Sequence, residues 1–592
     1  MTPSVRELTE PETSTADVAP VLTRVQAHTA PLELTARALG MGLLIGGLLA
    51  VTNVYMGLKT GWWESGSVTA AVLGFSALAT VSRRRGAAYT PLENNLTQTA
   101  AASVGAMPAA AGLLGALPAL TLLGTSVPAW GVAVWSVALG VLGVLAAHLL
   151  RRRLVAQEAL PFPTGIATAE LITAMHASTG TAARAGRGWL LAGAGAAAVA
   201  VTAVRDAFKW LPGMTALPGT LGGVPAASLT WGVGWSPMLL AIGMMTGPRL
   251  GLSMLAGAAV AWGVLSPWLA GTGLLAETGY ESLSAWLTWP GVGLMVGSAM
   301  ASLLAQARDF LGAARDLGHL GKGEAVPGWA FGVGLGACVL AVGLGSMLFG
   351  LSVPYMLLAL VLVLPLCAVC ARGAGQVDVS PVTQMGQVTQ VIFGGVLPGA
   401  LAPNVAAGAV VSGAAAQTGV SMWSLKAGHL LGASPRRLLA AQLVGVLAGS
   451  LVGVPVYLLL TRTQGLGSEA LPAPFAHQFR AVAEVAVRGL DGLPPQAALA
   501  AGVAVGVGAL LTFASRGRVA RWLPLPVALG IGFILPAYYA VTICVGALGL
   551  AAARWRWPAA AERNVSTLAA GAIAGESLAG VLFAALMALG LM

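Results

Sequence analysis

Long apolar runs separated by short polar inserts make up nearly all of the chain after residue 31. Eight runs stand out: Ala36 to Met56, Pro128 to Leu150, Leu252 to Leu269, Gly328 to Leu351, Tyr355 to Cys370, Leu438 to Leu460, Ala497 to Thr512 and Leu568 to Leu591. Each holds roughly 16 to 25 residues, and a helix of about 20 residues crosses a hydrocarbon layer of about 30 Å. The pattern predicts an all-α polytopic membrane protein.

Four further segments are apolar but interrupted by Gly, Pro, Asn, Gln or Glu: Pro91 to Gly124, Pro161 to Ser178, Val379 to Gly419 and Pro524 to Leu550. Counted as broken or re-entrant spans, they bring the total to about 14 to 16 crossings. Backbone breaks at membrane depth survive only where protein or a watery cavity covers them, so function is expected there. The layout of Arg85 to Gln98, a loop, a proline and then a polar turn, recurs in Gly375 to Gln390. "LPFP" at Leu160 recurs as "LPLP" at Leu523, while "LKTG" at Leu58 and "LKAG" at Leu425 are alike in swapped order. These echoes predict a two-half internal duplication, residues 32–325 and 326–592.

Composition agrees, with 57% hydrophobic and 9% charged residues and a mean hydropathy of +0.82; a soluble chain is about a quarter charged. The formal charge of +10 points to no nucleic acid, because the basic residues cluster at span ends and form no continuous face. They read as orientation signals: Arg83 to Arg85, Arg151 to Arg153, the loop of Arg308, Arg315 and Lys322, and the group Arg516, Arg518 and Arg521. Placed in the cytoplasm, they put the amino terminus inside a cell inner membrane as well. Met1 to Pro31 is polar and rich in Pro and Thr, without a signal-peptide pattern, and is expected to be a disordered cytoplasmic tail before a transporter domain over 32–592.

Cys338, Cys367, Cys370 and Cys544 lie in apolar surroundings. Cys367 and Cys370 have metal or redox spacing but no second pair and no nearby His, and read as membrane-core thiols. No cofactor is expected. The longest polar connections, Gln306 to Pro327 and Arg462 to Pro495, are shorter than a folded domain of about 50 residues. The closest approach to a phosphate loop, "GHLGKGE" from Gly318 to Glu324, has a glycine after Lys322 where Ser or Thr should bind magnesium. Ion gradients, passive conduction or intramembrane catalysis remain, and no paired nucleophile and base supports the last. Discontinuous helices favour a secondary transporter.

Candidate chemistry sits in the polar inserts. In Tyr89 to Gly105, Pro91 opens a helix, then Glu93 stacks over Thr97 and Asn94 over Gln98, with Asn95 beside them. That face is either an interfacial first turn in which Glu93 complements the helix dipole, or a half-helix whose amides bind a polar substrate. In Leu160 to Gly180, Thr164, Thr168 and Glu170 enter an apolar segment, where a carboxylate costs about 2.5 to 3.5 kcal/mol to insert. Glu170 is either a proton relay or a satisfied interhelical hydrogen bond, and His176 either a coupling group or interfacial. In Gly375 to Gln390, Asp378 precedes Pro381, and Thr383, Gln384 and Gln387 can donate and accept as peptide or chelate groups require. In Ser424 to Gly445, Lys426 and His429 share a face; Lys426 meets an acid or a substrate carboxylate, and Arg436 and Arg437 read as cytoplasmic anchors. Glu576, among small residues of the last span, needs a partner there, as a coupling group or a structural hydrogen bond. Asn53 to Ser67 carries Asn53, Lys59, Trp62, Trp63 and Glu64 between Gly57, Gly61 and Gly66, and is either a snorkelling lysine with an aromatic belt or an unwound segment that meets solute. The candidate substrate contacts are thus Asn53, Lys59, Glu93, Asn94, Asn95, Gln98, Thr164, Thr168, Gln384, Gln387 and Lys426; the candidate proton carriers are Glu64, Glu170, His176, Asp378, His429 and Glu576.

Five of these stretches, "NVYMGLKTGWWESGSVTAAVLGF", "TPLENNLTQTAAASVGAM", "LPFPTGIATAELITAMHASTG", "LKAGHLLGASPRRLLAAQLVG" and "GAIAGESLAGVL", together resemble the oligopeptide transporter family, which includes the yellow-stripe-like metal-chelate transporters. The resemblance runs from Ala36 to the carboxyl terminus. It implies about 16 helices in duplicated units and proton-driven import of peptides or metal-chelator complexes. Glu93 with Asn94, Pro163 to Thr168, His176, and Lys426 to Arg436 match the family's pattern. The tripeptide-and-basic motifs of the eukaryotic peptide-transporting branch are absent, which sets the chain nearer the prokaryotic or yellow-stripe-like side. The expectation is a proton-coupled symporter of small peptides or peptide-like chelates, with a metal-siderophore importer as rival. No His, Cys or Met cluster offers a bare-metal site, so any metal would travel chelated.

Overall fold

A computed structural model describes residues 33–84, 89–177, 182–272, 280–305, 326–378, 380–489, 494, 496–515 and 520–591. The expected amino-terminal tail, the loop of Arg308, Arg315 and Lys322 with its "GHLGKGE" stretch, and Arg85, Arg516 and Arg518 lie outside these residues.

In chain order, α1 (Ala36–Thr60) and α2 (Ser67–Arg84) flank an unwound linker, and α3 (Pro91–Ala110) leads into the short α4 (Ala116–Leu122). Next come α5 (Ala129–Arg151), prolonged by a π turn at Arg152–Gln157, then α6 (Pro163–Ala177) and α7 (Ala182–Thr202), prolonged by a π turn at Ala203–Ala207. Two small ribbons follow, β1 (Met214–Ala216) antiparallel to β4 (Gly232–Gly234) and β2 (Thr220–Leu221) antiparallel to β3 (Val224–Pro225). The chain continues through α8 (Pro237–Thr246), α9 (Pro248–Ala258), a π turn at Ala259–Leu265, α10 (Ser266–Thr272) and α11 (Tyr280–Ala305). The remainder is α12 (Gly328–Phe349), α13 (Val353–Val377), α14 (Val382–Val396), α15 (Leu401–Leu431), α16 (Pro435–Gln464), α17 (Pro474–Arg488), α18 (Ala497–Ala514), α19 (Pro526–Ile534), α20 (Ala537–Arg556) and α21 (Pro558–Ala588).

Among the described residues, 11 helices are long and apolar enough to cross a membrane, and the shorter apolar helices include Pro237–Thr246 and Ala520–Ile534. All eight apolar runs coincide with long helices. The protein is an all-α polytopic membrane protein, with the two ribbons as its only strands among the described residues. Its axis is α15, 31 residues long, whose apolar window is fully buried by α3, α5, α13 and α14. Close approach to this axis depends on missing side chains. A Cβ on Gly42 or Gly46 of α1 would strike the backbone of α3 at Thr97 or Ala101, so α1 lies flush on α3.

Two segments are more ordered than a bare sequence reading conveys. Val379 to Gly419, read as a broken or paired span, breaks at Leu397–Ala400, and α15 beyond it runs on uninterrupted. Its Ala, Gly and Ser positions weaken the apolar signal while permitting tight packing. Arg462 to Pro495 was expected to be a polar connection, yet it contains α17, whose Phe479 packs over Gly115 and Gly386 while Ala473 N donates to Leu58 O at 2.8 Å. Both "LPFP" and "LPLP" open short helices, α6 and α19.

One end of the bundle carries three sets of ion-paired basic residues. Arg37 of α1 meets Glu93 of α3, Arg437 of α16 meets Glu33, and Arg153 and Arg372 share Glu158. Tryptophans Trp210 and Trp235 and the ribbons lie beyond the opposite end of α7.

Candidate functional site

The stretch Asn53 to Ser67 breaks where glycine lets it. Gly61 caps α1 in the left-handed region, φ 72°, and Gly66 follows at φ 71°. Asn53, inside α1, holds the unwound linker like a clasp: its Oδ1 accepts from Glu64 N at 3.0 Å and its Nδ2 donates to Glu64 O at 2.8 Å and Gly105 O at 2.7 Å. Glu64 Oε1 accepts from Thr69 Oγ1 at 3.0 Å.

Trp62, Trp63, Glu64 and Ser65 of that linker wall an open cavity of about 460 Å³, lined also by Thr246 and Arg249 at the α8–α9 break, Trp423 of α15 and Leu525 ahead of α19. A second cavity of about 400 Å³ shares Trp62, Leu250 and Leu525 and reaches Gly61 and Phe475. Three chain breaks therefore meet at one hollow region, as expected of irregular backbone at membrane depth. Trp63 and Trp423 also pack on Ala102 and Ala106 of α3. One helical turn before Ala102 stands Gln98.

From there a seam of buried polar groups runs between α3, α14, α15 and α16. Gln98 Nε2 donates to Asn95 Oδ1 and Thr99 Oγ1 at 3.0 and 3.1 Å, leaving Gln98 Oε1, Asn95 Nδ2 and Asn94 Nδ2 without partners. Gln417 donates to Ser103 Oγ at 2.8 Å, Ser103 donates to Gln442 O at 2.7 Å, and Gln442 Oε1 meets His148 Nε2 at 2.9 Å. Gln417 Oε1, Ser421 Oγ, Ser424 Oγ and both amide atoms of Gln387 are unpartnered and buried. A buried polar group without a partner costs about 1 to 3 kcal/mol, so a seam of them implies water or solute. Lys426 is buried beside Gly165 of α6, with no carboxylate at ion-pair distance among the described residues.

A second cluster is closed instead. Glu576 of α21 accepts from Arg205 Nη1 at 3.1 Å, from Ser236 Oγ at 2.9 Å and from Met238 N at 2.8 Å. Arg205, at the π turn ending α7, also donates to Trp235 O at 2.7 Å and grips Asp206 through Nε and Nη2 at 2.6 and 2.8 Å. Ser236 is the N-cap of α8, so Glu576 anchors that helix's positive end.

Other predicted residues are likewise engaged or peripheral. Glu93 closes a capping box with Thr90 and takes Arg37 Nε and Nη2 at 2.8 and 2.7 Å and Thr35 Oγ1 at 2.6 Å. This is the geometry of the first-turn reading. Asp378, at φ 60°, accepts from Thr164 N and Oγ1 at 3.0 and 2.7 Å and caps α6, where Thr168 donates back to Thr164 O. Lys59 sits 4.7 Å over the Tyr55 ring. His176 packs on Phe75 at 4.6 Å and on Tyr89, while Glu170 and His429 are exposed and Gln384 is half-buried. The cysteines are free thiols. The structure thus brings Asn95 and Gln98 into the seam, buries Lys426 and Gln387 on α15 and α14, and sets Glu64 on the cavity wall, whereas Asn94 turns toward α2 and accepts from Tyr89 Oη at 3.3 Å.

Sequence reading missed Arg205, Asp206, His148, Ser103, Gln417, Gln442 and Asn404. A lone Arg-Asp pair ending an apolar run and a histidine inside another were the available signals.

A bundle with 11 span-length helices among the described residues, whose broken helices converge on cavities beside a polar seam, has the architecture of a membrane transporter. Residues 33–587 match the model of the OPT oligopeptide transporter protein family, and the chain belongs to that family. It is a transporter and not an enzyme. It is 23% identical to a Saccharomyces cerevisiae protein provisionally named an oligopeptide transporter, over 93% of this chain and 95% of that one. It is 26% identical to a probable metal-nicotianamine transporter of Oryza sativa subsp. japonica, over 92% and 88%. It is also 26% identical to the iron-phytosiderophore transporter yellow stripe 1 of Zea mays, over 88% and 85%.

Proposed function

We propose that the protein is a proton-coupled symporter that carries a small peptide or a peptide-like metal chelate along the α3–α15 seam. The supporting observation is the set of buried amides that keep an unpartnered atom, Asn95, Gln98 and Gln387, near cavities walled by tryptophans. Amides that can both donate and accept suit peptide bonds and chelate carboxyl groups alike. Relatives named for oligopeptides and for metal-nicotianamine support both cargoes. Lys426 supplies the positive charge for a substrate carboxylate, and Glu64, facing the cavity, is the carboxylate best placed to exchange protons with it. Asn53, Thr164, Asp378 and Glu93 hold the walls, their polar atoms already paired. The chain sits in the cell inner membrane with its basic end and amino terminus in the cytoplasm. Two duplicated halves, 32–325 and 326–592, rock around the seam.

Uptake of labelled tripeptide and of ferric chelate into proteoliposomes under an imposed pH gradient tests this reading. Gradient-driven uptake of one, competed by the other, is the expected result. Uptake indifferent to the gradient removes proton coupling, and no uptake of either removes the cargo class.

A further inference from the structure

Deeper along the same interface stands a group of carbonyl oxygens that donors do not reach. Gln390 of α14 donates its Nε2 to Phe479 O of α17 at 2.9 Å, and Asn404 of α15 donates its Nδ2 to Gln390 O at 2.6 Å. Those donations settle which end of each amide is oxygen, because a main-chain carbonyl can only accept, so the amide end that meets it is the NH2. Gln390 Oε1 and Asn404 Oδ1 are therefore acceptors, and both are buried and unpartnered, at 0% and 1% residue exposure.

Gly408, one turn after Asn404, lets the Gln390 side chain lie flat on α15: a Cβ there would stand 2.8 Å from Gln390 Cγ and 3.1 Å from Gly386 O. Gln387, one turn before Gln390, is 2% exposed and has both amide atoms unpartnered. Gln387 and Gln390 thus stand one turn apart on α14, and Asn404 of α15 is tied to the Gln390 main chain, so three amide side chains with unpartnered oxygens gather where α14 meets α15.

Uncharged carbonyl oxygens can replace the hydration shell of monovalent cations, whereas calcium and magnesium sites generally include carboxylates among their ligands. The described residues contain no group of three His, Cys, Asp or Glu that would hold a transition metal. We propose that Gln387, Gln390 and Asn404 bind a monovalent alkali cation, beyond the proton coupling proposed above. The ion supplies the positive charge that the three oxygens lack and ties α14 to α15 beside the seam.

The test is the thermal midpoint of the purified full chain in sodium, potassium and choline chloride at equal ionic strength, together with binding of radiolabelled sodium. A rise of about 2 °C or more in sodium or potassium over choline is expected from mass action. Gln387→Met, which breaks no hydrogen bond, abolishes that rise and leaves the choline midpoint unchanged. Gln387→Glu, which adds a carboxylate where no hydrogen bond is lost, lowers the half-saturating salt roughly tenfold. Equal midpoints in all three salts, or a rise that survives Gln387→Met without labelled sodium bound, overturn the site and assign the carbonyls to water. Proton-driven uptake measured in choline buffer stands or falls separately.

Discussion

The Arg205–Glu576 cluster and the α3–α15 seam are both polar and both buried, but only one is complete. Around Glu576 the carboxylate takes an arginine, a hydroxyl and a backbone N–H, while the arginine's remaining donors reach Asp206 and Trp235 O. In the seam, Gln98, Gln387, Gln417, Ser421 and Ser424 each keep at least one unpartnered atom. A saturated network rigidifies, and an unsaturated one needs an occupant. The first joins α7, α8 and α21; the second lies where solute would pass.

Breaking the closed cluster has the largest expected effect. Arg205→Met strands Glu576, which is 1% exposed, and costs about 3 to 5 kcal/mol in detergent unfolding. Pairing it with Glu576→Leu recovers most of that loss, because an apolar pair of similar volume replaces a buried ion pair. If the double variant is as unstable as the single, the cluster does not act as one unit.

Asn53→Leu comes next. It removes three hydrogen bonds from the Gly61–Gly66 linker and is expected to cost about 1 to 3 kcal/mol, with uptake falling because the cavity wall loosens. Lys426→Met separates the clusters in the opposite sense. Uptake falls roughly tenfold or more while the unfolding midpoint holds or rises, since a buried cation without an ion partner is removed. A lower midpoint with uptake intact would place Lys426 among the structural groups. The smallest effect belongs to Arg37→Lys at the basic end, where the pair with Glu93 is 29% exposed on the arginine side. Losing the fork costs below about 1 kcal/mol and leaves uptake nearly unchanged.

The spans were legible because their lengths follow from bilayer thickness, and α1, α5, α12 and α16 fall where the apolar runs lie. The continuity of α15 was not, because Ala, Gly and Ser buried against other helices carry little hydropathy. Glu576's need for a partner could be read from its setting, but not that Arg205 fills it, since the two are 371 residues apart. Likewise the polar turn at Glu93 was visible, yet whether its carboxylate was free depended on Arg37 arriving from α1. Sequence shows which groups lipid would reject; pairing between distant helices decides which of them stay open.

Accessibility to water separates the two clusters most directly. In a background with Cys338, Cys367, Cys370 and Cys544 replaced by Ala, the Gln98→Cys, Gln387→Cys and Ser577→Cys proteins are treated in membranes with a small impermeant thiol reagent. Gln98→Cys and Gln387→Cys are predicted to react and to be protected by transported solute, and Ser577→Cys, beside Glu576, to stay unmodified. Seam cysteines as inert as Ser577→Cys, with or without solute, would contradict the account.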